Sequence, residues 1–226
     1  MPSATPATYG LLGMLATRPM TGYELTQQVR RSLRFVWATS EGHLYREQKK
    51  LVTLGWATVT EEEVGRRTRQ RYVISRSGRA ALHAWLASEP DEPHLQVEGI
   101  LRAFYADSAS PAALSASLRA TAASARLMLD ELGAYVGDYL ADGGPLDMLE
   151  DSTAGRHFRG RQMYPERLHA VALALDLTTR LLATVEDACT ATAAEVDTWP
   201  STTDPSLATS TRARLEAVQA RAARVR

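Results

Sequence analysis

The chain has 226 residues, 45% hydrophobic and 23% charged, an ordinary globular balance with room for a medium domain or a small domain plus an accessory one. Its single cysteine, Cys189, excludes an internal disulfide and argues against a zinc ligand set, which suits a reducing cytoplasm. A net charge of zero hides an asymmetry: residues 1–88 hold 13 Lys+Arg against 6 Asp+Glu, while the remainder holds 13 against 20, so a basic first third fit to meet a polyanion precedes an acidic two-thirds.

Residues 7–17 form an apolar stretch with Tyr9, Leu12 and Leu15 near helical spacing, and Arg18-Pro19 stops it, because the residue before proline disfavours helix. Thr21 with Glu24 three residues on makes a capping box for a second helix carrying Leu25, Val29 and Leu33. A third helix starts after Thr39-Ser40 and runs to about Leu54, where Gly55 supplies the stop. The period then changes to two. Residues 56–60 and 70–74 alternate as paired half-buried strands, joined by a polar tip with a glycine for its turn. Ser77 is expected to cap a fourth helix from Gly78 to about Ala87. Three helices, a two-stranded hairpin and a further helix describe a winged helix.

Pro90 and Pro93, with acids between them, mark a linker, and beyond it no strand is expected. Helix is predicted for about 95–106 and from Pro111 to about Leu140, the latter with Ser110 as cap and proline at its first position. A last long helix is predicted for 161–196, with Leu168, Val171, Leu175, Thr178, Leu182, Val185 and Cys189 three and four apart. So long a stripe seeks a partner helix. A short basic helix follows the linker at 199–206. The fold class is therefore mainly α: a winged helix-turn-helix at 1–90, a helical dimerisation domain at 91–198, and a linker with a basic C-terminal helix at 199–226. No apolar run approaches the roughly 20 residues of a bilayer span, and the first ten residues lack a signal peptide's layout, so no membrane partner is expected.

On a wheel of about 100° per residue, one arc of the third helix holds Leu44, Gln48 and Leu51, with Glu47 turned towards it. The opposite arc holds Gly42, Arg46, Lys49, Lys50 and Thr53, flanked by His43 and Tyr45. A helix entering the major groove needs such an arc, rich in donors and poor in acids. His43 and Arg46, one turn in, are candidates for base edges; Lys49 and Lys50 are placed to reach phosphates, and Tyr45 to lend its hydroxyl to one. The hairpin tip adds Arg66, Arg67 and Arg69, able to reach backbone or minor groove. Taken alone, that cluster is better explained by a solvated turn; paired with the basic third helix it points to DNA.

Gly22-Tyr23-Glu24-Leu25, Gly42-His43-Leu44-Tyr45 with Leu54-Gly55, the Gly65-Arg66-Arg67 wing and Tyr72-Val73-Ile74-Ser75 with Gly78-Arg79 together resemble the PadR family of bacterial regulators. The helical remainder, including Tyr164-Pro165-Glu166, resembles the C-terminal domain of longer members related to virulence activators. The resemblance implies a homodimer joined by its C-terminal helices, binding a palindromic operator in double-stranded DNA. It also implies repression, often relieved by a small phenolic or drug-like molecule. Thr39, Ser40 and Tyr45, with their neighbours to Lys50, would then meet DNA, supported by the arginine wing. Arg46 stands where members of the family often carry proline.

Phe35, Trp37, Trp85, Phe104 and Tyr105 could line an aromatic effector cavity, although rings at such positions more often simply form core. No Ser/His/Asp order, phosphate loop, paired carboxylates or metal-ligand cluster is legible, so no catalysis, metal or cofactor is expected. Two other functions compete: a winged-helix adaptor for protein partners, and a ligand-sequestering protein with secondary DNA affinity. The acid-poor arc argues against the adaptor.

Overall fold

The computed structural model describes residues 3–37, 39–64, 67–151 and 156–223, and divides into two compact units, Met1–Pro93 and His94–Arg226. The first helix, α1 (Pro6–Leu15), begins at a capping box between Thr5 and Thr8 with proline in its first turn. It ends three residues ahead of Arg18-Pro19, and the chain passes into a two-residue strand, β1 (Met20–Thr21). Helix α2 (Gly22–Ser32) starts at the Thr21–Glu24 capping box. Ser40 caps α3 (Glu41–Thr53), and Gly55 beyond it takes the left-handed conformation at φ 69° that glycine tolerates best.

Strands β2 (Ala57–Val64) and β3 (Arg67–Ile74) pair antiparallel, with Val59 opposite Tyr72 and Glu62 opposite Arg69. Each runs to eight residues where alternation predicts five. The added pairs include Glu61 opposite Gln70 and Glu62 opposite Arg69; Glu62 also holds Arg71 in an ion pair, and opposite charges across a ladder support an exposed hairpin. β1 adds a third strand on the other side of β3 through Met20 opposite Tyr72. Two residues are too few to carry a period, so the sequence does not announce it.

Helix α4 (Arg76–Leu86) is capped by Ser75 rather than Ser77. The Ser75 hydroxyl accepts from the Gly78 N–H at 3.0 Å, while the Ser77 hydroxyl donates to the Gly55 carbonyl at 2.7 Å. The core of the unit gathers Leu11, Leu12, Leu15, Leu25, Val29, Leu44, Leu51 and Ile74. Each fully buried leucine contributes about 1.5–3 kcal/mol of transfer free energy.

The second unit opens with α5 (Glu98–Phe104), shorter than the 95–106 predicted, because residues 106–108 tighten into a 3-10 turn. Helix α6 (Pro111–Leu140) follows its Ser110 cap as expected. A short helix, α7 (Pro145–Glu150), follows the break at Gly143-Gly144. Contrary to the expectation of helix alone, a small hairpin pairs β4 (His157–Phe158) with β5 (Arg161–Gln162), turning at Arg159 and Gly160, both at positive φ. The last long helix, α8 (Leu168–Val196), therefore starts seven residues later than predicted, after a 3-10 turn at Pro165–Arg167. Helix α9 (Ala208–Ala223) closes the unit without a buried residue.

Helices α6 and α8 run antiparallel. At one end Leu114, Leu118 and Ala122 close on Cys189, Ala193 and Val196. There Ser115 donates to Asp197 at 2.6 Å and Arg119 pairs with the same carboxylate, whose pKa that guanidinium holds below the usual range. At the other end α6, α7 and α8 surround a cavity of about 620 Å³, lined by Leu132, Val136, Leu140, Leu149, Leu168 and Leu175 among others. Residues 165–196 are long and apolar enough to cross a membrane by length and composition alone, unlike the reading of the sequence, and only 6% of their most apolar window is buried within the chain.

Gly78 tests the first unit's packing. A Cβ there would lie 2.1 Å from the Trp56 carbonyl oxygen, and backbone cannot swing aside as a flexible side chain can. Overpacking of this kind costs about 1–3 kcal/mol or more. Gly78→Ala is expected to lower the melting temperature by about 5 °C; a change under one degree, measured by circular dichroism, would contradict this packing.

Candidate nucleic-acid interface

Four contacts decide which face of α3 looks outward. Leu44 and Leu51 enter the core, and between them Glu47 and Gln48 are also buried, Glu47 with only 4% of its surface exposed. Gln48 donates through Nε2 to the Gly22 carbonyl at 3.0 Å and to the Thr26 hydroxyl at 3.1 Å, tying α3 to the start of α2. The Glu47 carboxylate accepts from Thr8 and, at 3.2 Å, from Thr5, the two threonines of the α1 capping box. Buried polar groups with partners are tolerated in a core, and without them are expensive.

With that face committed, Gly42, Tyr45, Arg46, Lys49, Val52 and Thr53 are exposed. Tyr45 keeps 44% of its surface open. Among the described residues neither Arg46 nor Lys49 forms an ion pair, so both guanidinium and ammonium face solvent without a carboxylate. Thr39 is half-buried and Ser40 exposed, its hydroxyl accepting from the His43 N–H at the helix start.

Two members of the expected arc stand apart. The His43 Nε2 lies 3.8 Å from a Glu47 oxygen. The Lys50 ammonium lies 3.0 Å from the same oxygen and 3.3 Å from the other, with only 18% of its side chain exposed. Lys50 thus leans back over the buried side instead of sharing the open arc with Arg46 and Lys49. On the hairpin, Arg69 is exposed; Arg66 lies outside the described residues, and of Arg67 only the backbone is described.

The five aromatic residues singled out for a ligand fall on both units. In the first, Trp85 stacks on Tyr9 at 4.8 Å and 4°, and Arg34 lies 4.5 Å over the Phe35 ring. Trp37 is exposed. In the second, Phe104 and Tyr105 end α5 with 79% and 69% of their surface open. None of the five lines the cavity between α6, α7 and α8, whose walls are leucine, valine, alanine and glycine with Tyr139, His169, Asp176 and Thr179. Among the described residues no cluster of three His, Cys, Asp or Glu could hold a metal. Cys189 packs in the α6–α8 core, where burial raises its thiol pKa.

The sequence model of the "Transcriptional regulator PadR-like family" matches residues 11–84. Residues 11–84 are PadR-like. This PadR-like segment carries every residue of the α3 face and the hairpin. The "Negative transcriptional regulator PadR" of Bacillus subtilis is 28% identical over 99 residues, 43% of this chain and 54% of that protein. The "Probable transcriptional regulator Rv1176c" of Mycobacterium tuberculosis is 33% identical over 86 residues, 38% of this chain and 45% of that protein. The chain thus matches about half the length of these relatives.

Crystal structures of Bacillus subtilis PadR align over 84% of this chain and 98% of theirs. One, in complex with operator DNA, has a TM-score of 0.63 at 20% identity, and one with p-coumaric acid 0.57 at 23%. The Vibrio cholerae virulence activator AphA aligns over the same shares with a TM-score of 0.60 at 19% identity. At such identities the likeness establishes the fold alone.

Glu47 and the threonine network were not legible as functional. The one signal was Thr5-Pro6 with Thr8, a helix-start pattern as good as the Thr21–Glu24 box. Burial alone would raise the Glu47 pKa, but hydrogen bonds from Thr8 and Lys50 outweigh it and hold the carboxyl below its ordinary 4.5. Glu24 behaves alike: burial raises it, and the Thr21 N–H and Arg18 bring it below 4.5. A carboxyl lowered by folding stabilises fully above its ordinary value, and that stability is lost as pH falls through the folded one. The melting temperature should therefore drop as pH passes below about 4.5, and drop less steeply in Glu47→Gln. Equal acid slopes in the two proteins would show that the Glu47 carboxyl is not held by this network.

Proposed function

We propose that this protein is a homodimeric transcriptional regulator that binds double-stranded DNA, represses its target genes and is released by a small aromatic or drug-like molecule. The observation that carries the reading is the outward face of α3. Within a PadR-like segment it offers Arg46, Lys49 and Tyr45 with no carboxylate opposing them among the described residues, and an arginine-bearing hairpin lies in the same unit. Thr39, Ser40 and His43 at the helix start, and Arg66, Arg67 and Arg69 on the wing, complete the proposed DNA contacts, in cytoplasmic surroundings. Bacillus subtilis PadR has been crystallised with operator DNA and with p-coumaric acid, which makes DNA and a phenolic effector the natural first ligands to try.

Dimerisation is assigned to the helical unit. Leu173, Leu177 and Leu181 lie four residues apart on α8, all exposed, with Leu127 exposed on α6. A helix so apolar and so little covered finds burial most readily against a second copy of itself. Two copies then present two α3 faces to a palindromic site. The 620 Å³ cavity is of the size that suits a small flat ligand.

Titration of a duplex from the gene's own upstream region, followed by fluorescence anisotropy, tests the DNA reading. Affinity should fall steeply as salt rises, because cations on two faces displace counterions from several phosphates. Arg46→Ala should cost about 1–3 kcal/mol on the specific duplex and less on a scrambled one. Equal losses on both would reduce Arg46 to a phosphate contact.

Sedimentation tests the dimer. Leu177→Glu, which puts a charge in the middle of the exposed stripe, should convert the protein to monomers while leaving its helix content intact. A variant that stays dimeric places the interface elsewhere.

A further inference from the structure

Lys50 lies on the helix that would meet DNA, yet its environment differs from that of its neighbours. Its ammonium lies within 3.0 and 3.3 Å of the two Glu47 oxygens, one turn back along α3. The carboxylate it faces is not a surface partner free to follow it. One oxygen also accepts from Thr8, which is fully buried, and from Thr5 at 3.2 Å. Those threonines in turn cap α1, with the Thr5 N–H donating to the Thr8 hydroxyl at 2.8 Å. The other oxygen has His43 Nε2 at 3.8 Å. Hydroxyl donors, a lysine and a histidine together occupy most of the sites a carboxylate offers.

The geometry points to Glu47 as a positioning residue: anchored on α1, it holds Lys50 against the protein and removes it from the phosphate-facing set, leaving Arg46 and Lys49 as the cations α3 presents to DNA. This rests on the DNA-binding reading above and adds to it. Drawing Lys50 out to a phosphate would leave a buried carboxylate without its counter-charge, and an uncompensated buried charge costs far more than an exposed pair is worth. Arg46 and Lys49 carry no such penalty, having no carboxylate partner among the described residues. Glu47 therefore subtracts one cation from the interface and lowers non-specific attraction, which favours discrimination between sequences over raw affinity.

The test compares full-length wild type, Lys50→Met, Glu47→Gln and the double variant by anisotropy on one duplex across a salt series. Methionine keeps the lysine stem, and glutamine keeps an acceptor for the threonines. Each phosphate contact contributes roughly one unit to the log–log salt slope. Lys50→Met should leave the slope unchanged. Glu47→Gln frees Lys50 and should steepen it by about one unit, and the double variant should return to the wild-type slope. A slope that flattens by about one in Lys50→Met alone overturns the assignment, as does no steepening in Glu47→Gln. Melting temperatures of the four proteins give a readout independent of DNA. If Glu47 holds Lys50, the two single shifts are not additive; additive shifts overturn the pairing. Should the wild type bind no duplex at any salt, the DNA reading falls and the melting cycle alone decides for or against the pair.

Discussion

The placement of α3 rests on two buried polar side chains where leucines would have buried the same surface. Glu47 reaches the capping threonines of α1, and Gln48 reaches the backbone and Thr26 at the start of α2. Leu44 and Leu51 on the same face supply the non-directional part of the packing. Hydrophobic contacts tolerate a helix that slides or rolls by a fraction of a turn, because any apolar surface will serve. A carboxylate and an amide do not: a small roll strands a donor or a charge in the core. The orientation of the outward face, and thereby which cations it shows, follows from these contacts more than from the leucines.

The same economy explains a glycine. A Cβ on Gly22 would lie 2.7 Å from the Gln48 side-chain oxygen, so the first residue of α2 is small where α3 sends its amide. The helix starts of α1 and α2, each closed by its own capping box, thus act as fixed sockets for α3. Local signals that only stabilise a helix end in isolation become, in the folded unit, the points that register one helix against another.

The second unit is built on a different plan. Helices α6 and α8 are fastened at one end by Ser115, Arg119 and Asp197 over a core of small residues and leucines. Towards the other end they make room for α7, a cavity remains between the three, and Leu173, Leu177 and Leu181 of α8 turn outward. The exposed apolar surface of α8 is the physical basis for the proposed dimer, and the exposed Asp176–Arg180 pair within its apolar stretch is more at home in a protein interface than in a bilayer.

Much of the architecture is local and was legible from residues alone. The starts of α2, α3 and α6 follow from Thr21–Glu24, Ser40 and Ser110-Pro111, since a cap is a contact within one turn. The hairpin is announced by alternation, and the charge asymmetry is composition. What the sequence left open depends on contacts between distant segments. Ser75, not Ser77, caps α4, and both hydroxyls are held against the carbonyl of Gly55, 20 and 22 residues away. β1 exists only because β3 lies beside it, and the hairpin at 157–162 displaces a helix that the periodicity allowed. Lys50 shares a wheel arc with Lys49, yet points elsewhere, since a carboxylate anchored 39 residues away on Thr8 decides where its ammonium goes. The sequence by itself determined the helices, the wing and the basic first third, which are set by period, cap and count. Only the tertiary structure decided which of those cations remain free, because burial of a charge is a property of the whole fold.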